Sequence, residues 1–582
     1  MKSAPGGLQT VRFGAFELDM EAGELRRQGL KIRLQEQPLR ILQMLLAKPR
    51  RLVTREELRK ALWSSNSYVD FDQGLNRAIK KLREALGDSA ESPRFVETLA
   101  KRGYRFIGDS RISSAIGDSI VVLPFVNMSA DTENEYFADG ITEEIINALT
   151  QIGDLHVVAR SSAFSFKGKH VDPRVVADQL NVRTVLEGSV RRADNQLRIT
   201  VQLVNAADGF HVWSERYDRE MKDVFAIQDE IARSIAGRLQ VSFEGGEAGP
   251  LVKPGTENLE AYQAYVKGRA LLYKRGAAIP RALERCQRAV TLDRKYALAW
   301  AGLADSYTML GYFGLAPPQE LMPKGMDAAR HAVTLDPLLA EARSALAMAS
   351  LLGTWDREDA RREFLRSLEL NPKYLQAQAW YALFYLQLSE GQVVEGMTQA
   401  KAALESDPLS GYAHAIYAAT CFVVGKIGEA VHASRRGIEV DPENYFARLT
   451  LQESLRLSGE FEESSAAGQL AMAMSGRHAW AMAWHALTLA DWNRLADADA
   501  VYCEMAARAR YQYVPPVVLA IAASGAAREE DALRHAHEAF EIRDPHCQFF
   551  FSRYLPATAR LYTYPGFREI IALMGRSSWL QN

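Results

Sequence analysis

The feature that most constrains this 582-residue chain is a two-residue phrase that returns at a nearly fixed step. Asp336-Pro337, Asn371-Pro372, Asp407-Pro408 and Asp441-Pro442 follow one another at intervals of 35, 36 and 34 residues, and Asp544-Pro545 lies 103 further on, close to three more steps. Proline cannot continue a helix past its first turn, so each of these positions marks a helix end. A step of about 34 residues leaves room for two helices and their turns, a unit that cannot bury its apolar face alone and must stack on its neighbours. Ala418 and Ala430 are small residues where two paired helices would cross, and Gly425 and Gly459 turn the corner between partners. Counted from Asn258, about eight units fit, the later ones degenerate, with Phe567–Ile571 supplying a capping helix. Stacked helix pairs enclose a concave groove suited to extended ligands, and Tyr381, Tyr385, Tyr417 and Trp480 are candidates to line it, weighed against simple packing between helices.

The step matches tetratricopeptide repeats, and it accounts for only the second half of the chain. Charge separates the rest. Residues 1–110 hold 21 Lys and Arg against 14 Asp and Glu, a balance of +7, so the remainder of a chain whose net charge is -2 carries -9. A basic head on an acidic body fits one module that faces nucleic acid. Within the head, Leu75, Ile79, Leu82 and Leu86 recur at helical spacing, while Arg77, Lys80, Lys81 and Arg83, with Asn76 beside them, occupy the rest of that helix. A helix apolar on one side and basic with an amide on the other has the chemistry to lie in a DNA major groove. Gly87-Asp88 stops it; Phe95–Leu99 and Tyr104–Ile107 then form a hairpin with Lys101 and Arg102 at its tip. Upstream, alternation over residues 11–34 predicts a small antiparallel sheet, Gln37–Ala47 a first helix, and Thr54 with Glu57 a capping box opening a second.

With Phe13-Gly14, Phe16–Asp19, Gly23–Arg26, Leu45-Leu46, Leu52–Leu58 and Leu62-Trp63 in order before Asn76–Leu86 and Thr98–Phe106, residues 10–108 resemble an OmpR/PhoB-type winged helix-turn-helix domain. The resemblance implies that the third helix reads duplex DNA. Arg77, Lys80, Lys81 and Arg83 are carried over onto that helix, with Asn76 beside them, and Thr98 onto the wing, whose tip holds Lys101 and Arg102. Many members carry Arg where Ala100 stands, which leaves the wing contact to Lys101 or Arg102. The resemblance also implies RNA polymerase as a partner, met by the loop Ser64–Tyr68, and admits a dimer on DNA. No receiver-like segment with a phosphorylated aspartate is expected ahead of it.

Residues 119–242 alternate strand and helix signals. Ile120–Phe125 and Leu155–Val158 read as strands, and Phe137–Ile152, Pro173–Leu180 and Val224–Leu239 as helices. Thr184–Val190 and Leu197–Val204 form a hairpin around Asp194-Asn195, giving an α/β unit with a mixed sheet. VVLPFVNMS, FADGITEEI, LEGSV and VQLVNAADGFHVWSERYDR resemble a TolB amino-terminal-type domain, which implies a fold but no ligand. The acidic run Asp131, Glu133, Glu135, Asp139, Glu143 and Glu144 is read as a helix start favoured by the dipole rather than a metal site. His535, His537, His546 and Cys547 are the nearest approach to a zinc set, and His535 and His537 diverge on a helix. No phosphate-binding loop or catalytic triad is recognisable, so neither catalytic residues, cofactor nor metal is expected. Cys286, Cys421, Cys503 and Cys547 lie far apart, as suits a reducing compartment.

These readings predict a multidomain chain: a winged helix over 1–110, a linker over 111–118, a small α/β domain over 119–242, a Gly/Pro linker over 243–257, an all-α solenoid over 258–545 and a capping segment over 546–582. The architecture resembles one-component CadC-like regulators without a membrane helix. The expected function is a cytoplasmic, sequence-specific DNA-binding transcriptional regulator, not an enzyme, whose repeats sense a ligand, protein or peptide. The alternative is a repeat scaffold whose winged helix binds protein.

Overall fold

The structure, a computed structural model, describes the chain except for residues 1–8, 14–15, 20–22, 28–29, 33, 49–50, 63–70, 91–92, 100–101, 109, 115–118, 132–133, 151, 153–154, 240–254, 275 and 581–582. It forms two compact bodies, Met1–Gly117 and Asp118–Asn582.

In the first body, β1 (Gln9–Phe13), β2 (Phe16–Asp19), β3 (Glu24–Arg27) and β4 (Leu30–Ile32) make an antiparallel meander. Then follow α1 (Glu36–Leu46), β5 (Leu52–Thr54), α2 (Arg55–Leu62), α3 (Phe71–Leu86), β6 (Val96–Leu99) and β7 (Gly103–Phe106). Strand β5 pairs with β7, and β7 with β6, in a second sheet. Residues 111–114, expected as linker, instead belong to β8 (Ser110–Ser114), which pairs antiparallel with β1 so that Val11 faces Ile112. Without β8 the outer side of β1 would be an open edge, the cause of the difference. Phe13, Phe16, Phe95 and Phe106 form an aromatic core with ring centroids 5.2–6.2 Å apart. Gly103 is obligatory at the start of β7, since a Cβ there would stand 2.1 Å from the Val53 carbonyl oxygen. The capping box forms: Glu57 accepts from the Thr54 N–H at 2.7 Å, and that bond, with Lys48, brings its carboxyl down to about 2.

The second body opens with β9 (Ser119–Val122), β10 (Val126–Asn127), α4 (Asn134–Thr150), β11 (His156–Val157), α5 (Arg160–Phe164) and α6 (Pro173–Leu180). Long strands β12 (Thr184–Ala193), β13 (Gln196–Asn205) and β14 (His211–Glu220) and helix α7 (Val224–Arg238) complete a mixed sheet of order β11-β9-β12-β13-β14, with β10 on β12. Eight helix pairs follow: α8 (Leu259–Lys274) with α9 (Ile279–Leu292), α10 (Ala297–Tyr312) with α11 (Pro318–Leu335), α12 (Ala340–Ala349) with α13 (Arg357–Leu370), α14 (Leu375–Trp380) with α15 (Val393–Ser406), α16 (Gly411–Val423) with α17 (Ile427–Val440), α18 (Tyr445–Ser458) with α19 (Phe461–Met474), α20 (Ala479–Asp491) with α21 (Leu495–Arg508) and α22 (Pro516–Gly525) with α23 (Glu529–Glu541). Helices α12 and α14 continue as π-helical turns, Ser350–Thr354 and Tyr381–Ser389. The repeated Asp or Asn makes a local turn between pairs: Asp336 accepts from the Leu338 N–H at 2.9 Å and Asn371 from Lys373 at 3.1 Å.

Two features depart from separable modules. The α/β sheet and the first pairs share one core, in which Ile141 and Ile145 of α4 pack with Tyr262, Tyr265 and Val266 of α8. A Cβ on Gly140 would lie 2.6 Å from Val266, so this helix crossing needs the bare backbone. Asp407, one of the repeated acids, turns to accept from the Ser162 N–H at 3.0 Å and from the Ser161 and Ser162 hydroxyls of α5. The second feature is the segment after pair eight, expected as a cap, which includes α24 (Cys547–Phe550) and α25 (Pro565–Leu573). It threads back against the first helices of earlier pairs. His546 Nε2 lies 2.6 Å from the Tyr312 carbonyl, the Ser552 hydroxyl donates to Leu388 O at 2.6 Å, and Arg576 reaches Ser389 O at 3.1 Å.

Candidate nucleic-acid interface

Helix α3 sorts its residues as its period requires. Leu75, Ile79, Leu82 and Leu86 are buried, and Asn76, Arg77, Lys80 and Lys81 are exposed. The basic side divides in two, however. Asn76, Lys80 and Arg83 line a cleft of about 510 Å³ between α3 and the β6–β7 wing, together with Thr98 and Tyr104. Arg77 and Lys81 stand outside that lining, and Lys81 Nζ donates to Gln35 Oε1 at 2.7 Å, just ahead of α1.

Arg83, one of the residues expected on the DNA-reading helix, spans from helix to wing: its guanidinium donates to Val96 O at 2.7 Å and to Thr98 Oγ1 at 2.9 Å. Arg102 is exposed in the hairpin turn, and its carbonyl accepts from the Arg55 N–H at 3.2 Å. Lys101 and the loop Ser64–Tyr68 lie outside the described residues.

Three residues of the site were not singled out from the sequence. The Tyr104 hydroxyl donates to Asn76 Oδ1 at 3.2 Å, Arg55 donates to that hydroxyl at 3.3 Å, and the two together hold the Asn76 side chain. Asp88, seen from the sequence only as a helix stop, accepts from the N–H groups of Arg94 at 2.7 Å and Val96 at 2.8 Å and so sets the angle at which the wing leaves α3. An Asp directly after a helix-ending Gly is the signal for such a turn. The site thus offers a positioned amide and cations beside an open cleft, chemistry suited to base edges and phosphates and without a nucleophile paired to a base.

In the second body three carboxylates of α4 are ion-paired. Asp139 and Glu135 pair with Lys167, at 2.6 Å and 2.9 Å, and Glu143 pairs with Arg160 at 3.1 Å and with Arg269 of α8. His546 meets Asp544 and His535 meets Tyr502; among the described residues no group of three His, Cys, Asp or Glu is arranged to hold a metal ion. Of the aromatics considered for the groove, Tyr385 and Trp480 are buried and Tyr381 stacks on Tyr385 at 5.5 Å. Trp480 borders an apolar cavity of about 50 Å³ with Tyr312, Phe384, Phe422, Trp484 and Phe550, and its indole N–H has no hydrogen-bond partner. No described helix is long and apolar enough to cross a membrane.

The family described as "Transcriptional regulatory protein, C terminal" matches residues 29–106, and the one described as "HilA/YgeH-like transcriptional regulator, second domain" matches residues 116–234. A Rhizobium meliloti (strain 1021) protein provisionally named adenylate cyclase 3 is 46% identical over 187 residues, 32% of each chain. The cholera toxin homolog transcriptional activator of Vibrio parahaemolyticus is 40% identical over 89 residues, 15% of this chain and 30% of its own. The cholera toxin transcriptional activator of Vibrio cholerae is 38% identical over 76 residues, 13% of this chain and 26% of its own. The chain therefore spans about a third or less of the length of these relatives. In order, it carries an OmpR/PhoB-type winged-helix domain of transcriptional regulatory proteins, a domain like the second domain of HilA/YgeH-like regulators, and a tetratricopeptide-like solenoid.

Proposed function

We propose that the protein is a one-component, sequence-specific regulator of transcription that acts in the cytoplasm, where its DNA lies, and performs no catalysis of its own. The observation that carries this reading is α3: one side is buried in the core, and the other presents Asn76 and Lys80 along the wing cleft and Arg77 beyond it. Asn76, with its Oδ1 held by Tyr104, contributes its amide N–H groups to base edges. Lys80, Arg77, Lys81, Lys101 and Arg102 meet phosphates, and Arg83 with Thr98 braces the wing. RNA polymerase is the protein partner next to the DNA.

The solenoid senses the signal. The signal is a ligand, peptide or partner protein held by the stacked helix pairs, since the apolar cavity at Trp480, at about 50 Å³, is too small for a drug-sized molecule. Binding to the repeats would act on pairs two, four and seven together, because the C-terminal segment touches all three. Binding-site selection from random duplexes, with the full chain and with residues 1–117, tests the DNA reading. Enrichment of one motif by both is expected; no enrichment by either, with protein partners retained, favours the scaffold reading.

A further inference from the structure

The strand β14 ends its sheet, and among the described residues no strand pairs with its outer side. It is ten residues long, and only Trp213 and Tyr217 of it are buried. A long open edge presents a row of peptide N–H and C=O groups able to continue the ladder with another strand.

We infer that β14 is a homodimer interface, in which two copies of the chain pair β14 to β14 antiparallel about a two-fold axis at Tyr217 and join their sheets into one. The occupant is a second copy because the charges on this edge are complementary to themselves. A two-fold axis normal to the sheet keeps every residue on its own face, so opposed residues are equally spaced either side of the central one. Centred on Tyr217, Arg216 stands opposite the partner's Asp218, and Glu215 opposite the partner's Arg219. Each pair occurs twice. Registers centred on Glu215, Arg216, Asp218 or Arg219 would instead set that charge against its own copy.

Charges on an edge strand usually serve to prevent pairing. Here their order opposes pairing in those registers and favours it in one. Asp218 is already flanked within the chain by Arg198 at 2.5 Å and Arg216 at 3.0 Å, so the partner's Arg216 would extend an alternating row of charges. On the other face, Glu215 accepts from the Tyr217 hydroxyl at 3.2 Å, which holds its carboxylate beside the axis.

Sedimentation equilibrium of the full chain, without DNA, tests the interface independently of the DNA-binding reading. The wild-type chain is expected to dimerise. Glu215→Arg and Arg219→Glu, each turning two attractive pairs into repulsive ones, should weaken association about tenfold or more. The double variant Glu215→Arg with Arg219→Glu should restore it, and the rescue separates a lost interface from a lost fold. As a second readout, β14 amides should exchange more slowly as protein concentration rises. A wild-type chain that stays monomeric throughout the micromolar range overturns the proposal. So does a dimer indifferent to the single reversals, or one that the double reversal leaves broken.

Discussion

Arg83 and Thr98 are joined across the helix–wing cleft by a 2.9 Å hydrogen bond, and the same guanidinium holds the carbonyl of Val96. A side chain on the exposed side of the recognition helix is thereby the brace of the wing. Arg83→Ala is expected to destabilise residues 1–117 by about 1–2 kcal/mol. It should weaken DNA binding across all sequences. Thermal melts and titrations against matched and scrambled duplexes check this; a change of preference at one base pair without loss of stability would return Arg83 to base reading.

Asn76 and Arg102 should separate cleanly. Asn76→Ala is expected to relax preference at a particular base pair by about 1–3 kcal/mol. Arg102→Ala should weaken all duplexes alike and flatten the dependence of log affinity on log salt by about one unit. Site selection repeated at two salt concentrations reads both effects.

Glu144 gives the second body a pH dependence. Burial, aided by Glu143 and Glu341 and opposed by Arg269, pushes its carboxyl from 4.5 up to about 7. The folded chain therefore keeps a proton that the unfolded chain releases, so this contribution to stability is full below about pH 4.5 and falls as pH rises through 7. Glu144→Gln should flatten that decline, with a gain on the order of 1–3 kcal/mol above pH 7. Melting temperatures of the two proteins across pH 4–8 decide it; parallel curves would refute the assignment to Glu144.

Asp407→Ala should cost about 2–4 kcal/mol, because the buried Ser162 N–H and hydroxyl and the half-buried Ser161 hydroxyl lose their acceptor together. Asp407→Asn, which retains one oxygen, should cost less. Limited proteolysis around α5 offers the local readout: faster cleavage in the Ala variant is expected, and equal rates would count against the contact.

The shared core makes a further demand. A fragment of residues 255–582 leaves Tyr262, Tyr265 and Val266 without the α4 side chains that cover them. It should aggregate or melt well below residues 118–582, as circular dichroism and light scattering will show. Equal melting temperatures would mean that the solenoid stands alone.

What the sequence disclosed was periodic. The Thr54–Glu57 box is written within one turn of chain, the stripe Leu75, Ile79, Leu82 and Leu86 within one helix and the 34-residue step within one helix pair, and each appears in the fold where expected. What it withheld depends on distance. Ser162 and Asp407 are 245 residues apart, and nothing in either neighbourhood marks the other. The spread of α3 cations into two groups needed the wing to be placed, since Arg83 and Lys81 are equally basic and only a partner distinguishes them. Strand β14 was obscured by its charges, which alternate poorly with Trp213 and Tyr217 because one of its faces looks to solvent.

The inward course of residues 546–580 sets a condition on biosynthesis. The side chains they supply to pairs two, four and seven, Phe549, Phe550 and Trp579 among the buried ones, leave the ribosome after the helices that need them. The early pairs must wait with an unfilled interior, exposing aromatic surface to chaperones and proteases, until the tail arrives and closes it. A premature stop before residue 546 would therefore remove the lining of a body whose first repeats had already been made, and the loss would be felt hundreds of residues upstream.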